Sequence, residues 1–312
     1  MTTPMVSSNW TQWVLPIVRK EWQQKLEAVP APSLNLFGRE TSTAAAEYSQ
    51  GMGNFGLVPE YNSTTAEGNA AAIQYDSFSE LYEKTFTHKE YAKGVAIERK
   101  LWDDDQSGLI RRRAQILGNS FGTTRATHAA SVFNNAFSSD HVGGDGVSLC
   151  NASHPVNKVD GSTTFSNAGS TALSYDAVIS TIIAGQGLND DRDNPMPVMY
   201  DTLLIPTALQ GVAYEQLKGL LKPGTGDNDT SAIPYMTGGI NIIVDPYLSD
   251  ANNWFMLDSA MASMHLLWYD RVNPEIALDP SSDFNLVAQY RGYMRYSFGW
   301  DDARFIYGHA VA

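Results

Sequence analysis

The stretch from Asp103 to Phe137, DDDQSGLIRRRAQILGNSFGTTRATHAASVFNNAF, decides how the rest of the chain is read. Ile110, Ala114, Leu117 and Phe121, then Ala129, Val132, Phe133 and Ala136, recur at spacings of three and four, the signature of one helical face. Asp103, Asp104 and Asp105 place carboxylates where a helix dipole is positive, so the pattern predicts a helix over about 105–137. At about 32 residues, or roughly 48 Å, it is nearly three times the mean globular helix. No heptad is sustained, which makes it a strut and not a coiled coil. Gly118 and Gly122 in its middle cost ~1 kcal/mol each relative to Ala and imply a bend or the close approach of another backbone.

Toward the C-terminus, residues 138–172 are rich in loop formers and suit a domain boundary. Ser174 can cap a helix carrying Val178, Ile179, Ile182 and Ile183. A buried strand, Thr202 to Ile205, follows, and Pro206 opens a further helix with Leu209, Val212, Ala213, Gln216 and Leu217 on its inner side. The flexible run Lys222 to Asp229 precedes apolar strands at Ile240–Val244, Trp254–Leu257 and His265–Tyr269. Between Phe284 and Ser297 the apolar Phe284, Leu286, Ala288, Tyr290, Met294 and Tyr296 alternate with polar residues, predicting a long half-exposed strand.

Toward the N-terminus, Phe78 to Ile97 reads as a strand leading into the acidic cluster. Glu47 to Phe78, with Gly51, Gly53, Gly56 and Gly68, has little to fill a core and reads as an extended hairpin turning near Asn62 to Thr65. Ahead of it, Pro16 can occupy the first turn of a short amphipathic helix through Leu26. Trp10, Trp13 and Trp22 crowd this arm and are costly to leave in water, so the arm packs either on another subunit or back on its own domain.

Composition narrows the function classes. The chain has 312 residues, 43% hydrophobic and 18% charged, a balance that folds. Its net charge of −13 works against a phosphate-binding surface, and Arg111-Arg112-Arg113 sits just after Asp103-Asp104-Asp105 as local compensation. Cys150 is the single cysteine, so no disulfide forms within the chain, which fits assembly in a reducing cytoplasm. The sequence contains neither a secretion signal nor ~18 consecutive apolar residues, so no membrane span is expected.

The order arm, glycine-rich hairpin, strand, strut, β/α region and long return strand resembles the Hong Kong 97-fold major capsid proteins of tailed bacteriophages, particularly their Mu-like head-subunit branch. The segments that carry the resemblance are Lys93 to Asp105, Asp201 to Leu209, and Ile240 to Leu257 with Val244-Asp245-Pro246-Tyr247-Leu248 inside it. The resemblance implies an α+β fold with an N-terminal arm at 1–46, an E-loop at 47–78, a P-domain at 79–172 containing the spine helix, an A-domain at 173–275, and a return strand at 276–312 completing the P-domain. It further implies a homo-oligomer of hexameric and pentameric capsomers forming an icosahedral virion shell that encloses double-stranded DNA without sequence-specific binding. Scaffolding, portal and cement or decoration proteins are the partners that go with it. An encapsulin-like compartment of the same fold is the alternative.

Three constellations offer rival chemistry. Gly118-Asn119-Ser120-Phe121-Gly122 matches a hydrolase nucleophile pattern, but that chemistry needs a strand-to-helix turn and Ser120 falls within the predicted helix. Cys150 and His154 are too few for a metal, and His88, His128, His141, His265 and His309 show no ligand spacing. Asp190, Asp191 and Asp193 lack the glycine and distal glutamate of a calcium loop. The expectation is therefore no catalytic residue, no cofactor and no metal.

Overall fold

A computed structural model describes residues 10–53, 55–58, 75, 80–98, 100, 104, 108–156, 158, 163–224, 229–236, 238–279 and 287–312. The expected hairpin turn near Asn62 to Thr65 lies outside these residues, as do Asp103, Asp105, Phe284 and Leu286.

Among the described residues the strut is the helix α2, Leu109–Asn134, preceded by α1, Trp10–Ala28. The strut starts later than its acidic cluster suggested: Gly108 caps it at φ 69°, a left-handed conformation that favours glycine, and no acidic residue occupies the first turn. The arm helix starts earlier than expected, with Pro16 inside it and not in its first turn.

Two strands, β3 (Glu80–Thr87) and β4 (Lys89–Glu98), replace the single strand read between Phe78 and Ile97, with His88 alone between them. With β1 (Gly38–Thr41) and β2 (Ala46–Met52) they feed two sheets. β2 and β3 pair antiparallel from Ala46↔Thr87 to Met52↔Glu80 as the base of a separate two-stranded hairpin.

Beyond the strut come three two-residue strands, β5 (His154–Pro155), β6 (Thr164–Phe165) and β7 (Ala168–Gly169). Then follow α3 (Tyr175–Gln186), β8 (Thr202–Ile205), α4 (Gln210–Leu217), α5 (Ile233–Met236), β9 (Asn241–Val244), β10 (Trp254–Leu257) and α6 (Ser259–His265). The chain finishes with β11 (Leu266–Leu278), β12 (Val287–Trp300) and β13 (Ile306–His309).

The Ser174 hydroxyl accepts from Ala177 N at the start of α3, the cap the sequence announced. The helix after Pro206 opens as a short 3-10 turn and buries only Ala213 and Leu217; Val212 is exposed.

A four-stranded sheet runs β1-β11-β12-β4, with β12 antiparallel to both long neighbours, and a five-stranded sheet runs β7-β13-β10-β8-β9. The second sheet packs α3 on one face, through Val178, Ile182, Leu203, Ile205 and Trp254. Its other face, through Leu204, Phe255 and Leu257, joins the core built by α1, α2 and the four-stranded sheet. Burial on both faces is why Thr202 to Ile205 is buried throughout and does not alternate.

The arm folds back on its own strut. Trp22 is only 3% exposed and meets Phe121 edge-on, with centroids 5.7 Å apart. Of the two readings of the arm, packing back on its own domain is the one that Trp22 supports. Gly118 and Gly122 explain the fit: a Cβ at Gly118 would strike the Trp22 carbonyl oxygen, and one at Gly122 would lie 2.9 Å from the Leu26 carbonyl oxygen. Close helix approach, the second of the two readings of these glycines, is what the packing supports.

Candidate functional site

The most exposed apolar side chains are concentrated on the hairpin. Leu57 is 80%, Val58 95% and Tyr75 91% exposed, and Tyr48 and Phe55 are also in solvent. A two-stranded hairpin is marginal in water even when it carries one apolar face. Here Leu57, Val58 and Tyr75 are turned out to solvent, while Trp254, Trp268, Tyr296 and Phe305 in the core are all fully buried. Composition marked 47–78 as unable to fill a core; that its few apolar residues form an outward patch was not visible from spacing.

A second patch lies where Lys222 to Asp229 leaves α4. Leu220, Leu221 and Tyr235 are 77%, 52% and 78% exposed, with Tyr214 beside them in sequence on α4. Lys218 donates to the Ile240 carbonyl, and Lys222 N and Asp229 O close the base of the loop at 2.7 Å. The described residues on either side of 225–228 are therefore joined as a stem.

The body is braced by a charge network around the buried Asp270. Asp270 on β11 receives Arg125 of the strut at 3.0 Å and the Trp268 indole N–H at 2.9 Å, while Arg39 of β1 reaches it at 3.4 Å. The Arg125 guanidinium also lies over the Trp268 ring, 5.2 Å from its centroid. Strut, β1 and β11 are thus held at one point.

The rival sites resolve into structural parts. Ser120 sits inside α2, not at a strand-to-helix turn, and Lys93 Nζ lies 3.2 Å from its Oγ. Cys150 is buried, which pushes its thiol far above the ordinary range and keeps it protonated and unreactive. His154 turns Nδ1 to Asp145 Oδ2 at 2.6 Å and stacks on Phe165. Asp190 Oδ1 accepts the backbone N–H groups of Arg192 and Asn194, and Asp193 adopts φ 61°, so this acidic run is a tight turn. Among the described residues, no three His, Cys, Asp or Glu side chains group to hold a metal, and no helix is long and apolar enough to cross a membrane.

Solved structures share this arrangement. Mycobacterium phage Adephagia is 14% identical with a TM-score of 0.56, covering 91% of each chain. The capsid of cyanophage P-SCSP1u is 11% identical with a TM-score of 0.57, covering 89% of this chain and 86% of that one. A virus-like particle from Pyrococcus furiosus is 10% identical with a TM-score of 0.53, covering 94% of this chain and 97% of that one. At these identities the likeness is one of fold. No curated protein matches the chain. The model of the phage capsid protein family matches residues 82–308, which takes in the strut, the four-stranded sheet except β1, and the five-stranded sheet up to Gly308, and the chain belongs to that family.

Proposed function

We propose that this chain is the major shell subunit of a tailed phage, assembling through hexamers and pentamers into an icosahedral head around double-stranded DNA. The observation that carries the reading is the hairpin patch of Tyr48, Phe55, Leu57, Val58 and Tyr75, exposed on a chain whose own core is already filled. Further copies, repeated around a closed shell, are what cover it. The hairpin then serves as the E-loop (47–78), α1 belongs to the arm (1–46), the strut lies in the P-domain (79–172), and the α4–β9 loop lies at the tip of the A-domain (173–275). Residues 276–312 contribute β12 to the four-stranded sheet and β13 to the five-stranded one.

Catalysis has no part in this role: Cys150 is buried in the core and Ser120 lies within the strut. The acidic surface encloses DNA without gripping it. Scaffolding, portal and cement proteins are the partners such a shell uses, and assembly takes place in the host cytoplasm.

The test is electron microscopy of the expressed chain, alone and with the products of neighbouring genes, beside a variant with residues 54–78 replaced by a short Gly-Ser turn. Shells from the full chain and soluble monomers or capsomers from the variant are expected. Shells of normal size without the hairpin would overturn the reading.

A further inference from the structure

Two histidine-centred relays tie the hairpin to the body. His88, buried and alone between β3 and β4, has Nε2 3.1 Å from Ser42 Oγ and Nδ1 3.0 Å from Ser297 Oγ. Ser42 precedes β2 and also bonds Glu47 on it, while Ser297 lies on β12. One imidazole therefore joins both feet of the hairpin to the long strand. On the other side, Ser49 of β2 donates to Asp301 Oδ2 at 2.6 Å, and Asp301 Oδ1 lies 2.9 Å from His265 Nδ1 at the end of α6.

The two imidazoles sit in opposite electrostatic settings. Around His88 stand Arg295 of β12, Arg271 of β11 and Glu47 of β2, with Lys89 next in the chain; burial first, and then the guanidiniums, hold its pKa below the ordinary imidazole value. Around His265 stand Asp301, Asp302 and Arg304, and Asp145, Asp191, Tyr82 and His154 line the same cavity of about 200 Å³. Burial opposes a charge on His265, but the Asp301 hydrogen bond and the Asp301 and Asp302 charges outweigh it and raise its pKa.

We propose that the hairpin root is a pH-gated clasp, in which the Ser42–His88–Ser297 relay opens in acid, the Ser49–Asp301–His265 relay opens in alkali, and the hairpin is held only between. The signs follow from linkage. A histidine depressed in the closed state loses its contribution as pH falls below the open-state value of about 6.5, because the open form takes up the proton. A histidine raised in the closed state contributes fully below about 6.5 and loses that contribution as pH rises through its closed-state value. Neither relay depends on what the hairpin meets in an assembly.

Hydrogen exchange of the full-length unassembled subunit at pH 5, 7 and 9, corrected for intrinsic rates, tests this by comparing β2–β3 with β11–β12. Protection of β2–β3 should peak at pH 7 and fall on either side by about tenfold per unit of difference between closed and open pKa. His88→Gln should abolish only the acid loss, and His265→Gln only the alkaline loss. Arg295→Gln, which keeps the relay but removes one charge facing His88, should shrink the acid loss if His88→Gln fails to fold. Asp301→Asn should remove the alkaline loss, separating it from titration of Lys84, whose ammonium donates to the Val142 carbonyl. Protection of β2–β3 that is flat with pH, that moves in parallel with β11–β12, or that keeps its wild-type profile in these variants would overturn the clasp.

Discussion

Substituting Gly118 by Ala should destabilise this protein, although the same change in a free helix stabilises by ~1 kcal/mol. The added methyl would land on the Trp22 carbonyl oxygen, with Trp22 C and Cα at 3.0 and 3.1 Å. These are backbone atoms and cannot rotate aside, so α1 must lift from the strut. Overpacking of this kind costs about 1–3 kcal/mol. Lifting also returns part of Trp22 to water, and a tryptophan burying about 200 Å² is worth ~5 kcal/mol at 25 cal/mol/Å². Subtracting the helix gain of ~1 kcal/mol from the overpacking cost leaves about 0–2 kcal/mol, and the re-exposure of Trp22 adds to that loss. Gly211 is the internal control: it lies in α4 with nothing within 4 Å of an added Cβ, so Gly211→Ala should hold or gain up to ~1 kcal/mol. Urea unfolding of the three proteins, with unchanged slope, reads the signs directly. A Gly118→Ala midpoint at or above wild type would refute close packing and restore the bend.

Asp270→Asn should cost about 3–5 kcal/mol in the same assay, because it leaves the buried Arg125 guanidinium without its carboxylate. His309 is kept neutral, its pKa pushed down to about 4 by burial, with Thr171 N–H donating to Nδ1 and Nε2 beside Thr181 Oγ1. Stability should therefore fall as pH drops from about 6.5 toward that value, and the unfolding midpoint of His309→Gln should depend less on pH across that range. Particles boiled in denaturing detergent with reductant should run as one band near 34.2 kDa, because the chain has no lysine between Lys25 and Lys84 to cross-link the hairpin; a ladder would refute this.

The parts legible in the sequence are those whose burial follows one local rule. Ala288, Tyr290, Met294 and Tyr296 are buried on every second position of β12, as the alternation required. β11 was half missed because Pro274 interrupts its pattern; the strand survives through register shifts between Asp270 and Glu275, where ladder bonds are already irregular. α6 was missed because its seven residues bury only Ala262 and show no helical stripe. The placement of Trp22 and the reason for Gly118 are facts about a contact between residues about a hundred positions apart, and no local period encodes that. For the candidate site, glycine content located the hairpin, but the histidine relays at its root join Ser42 to Ser297 and Ser49 to Asp301, pairings that only the folded topology creates.

Charge and exposed apolar surface oppose each other in the proposed assembly, and salt decides between them. Each copy carries −13, so copies packed side by side repel, and the repulsion grows with the number gathered. The groups offered for contact are apolar, on the hairpin and at Leu220, Leu221 and Tyr235, and these two patches are unlike surfaces. Contacts that bury unlike patches are heterologous and close into rings when the rotation permits, as capsomers require. Screening shortens the reach of the repulsion from about 30 Å at 0.01 M salt to about 8 Å at 0.15 M, and leaves apolar burial intact. The protein concentration needed for assembly should therefore fall as salt is raised over that range, read by light scattering against a dilution series. A threshold that rises with salt would mean that ion pairs between copies, and not the exposed apolar patches, drive the association.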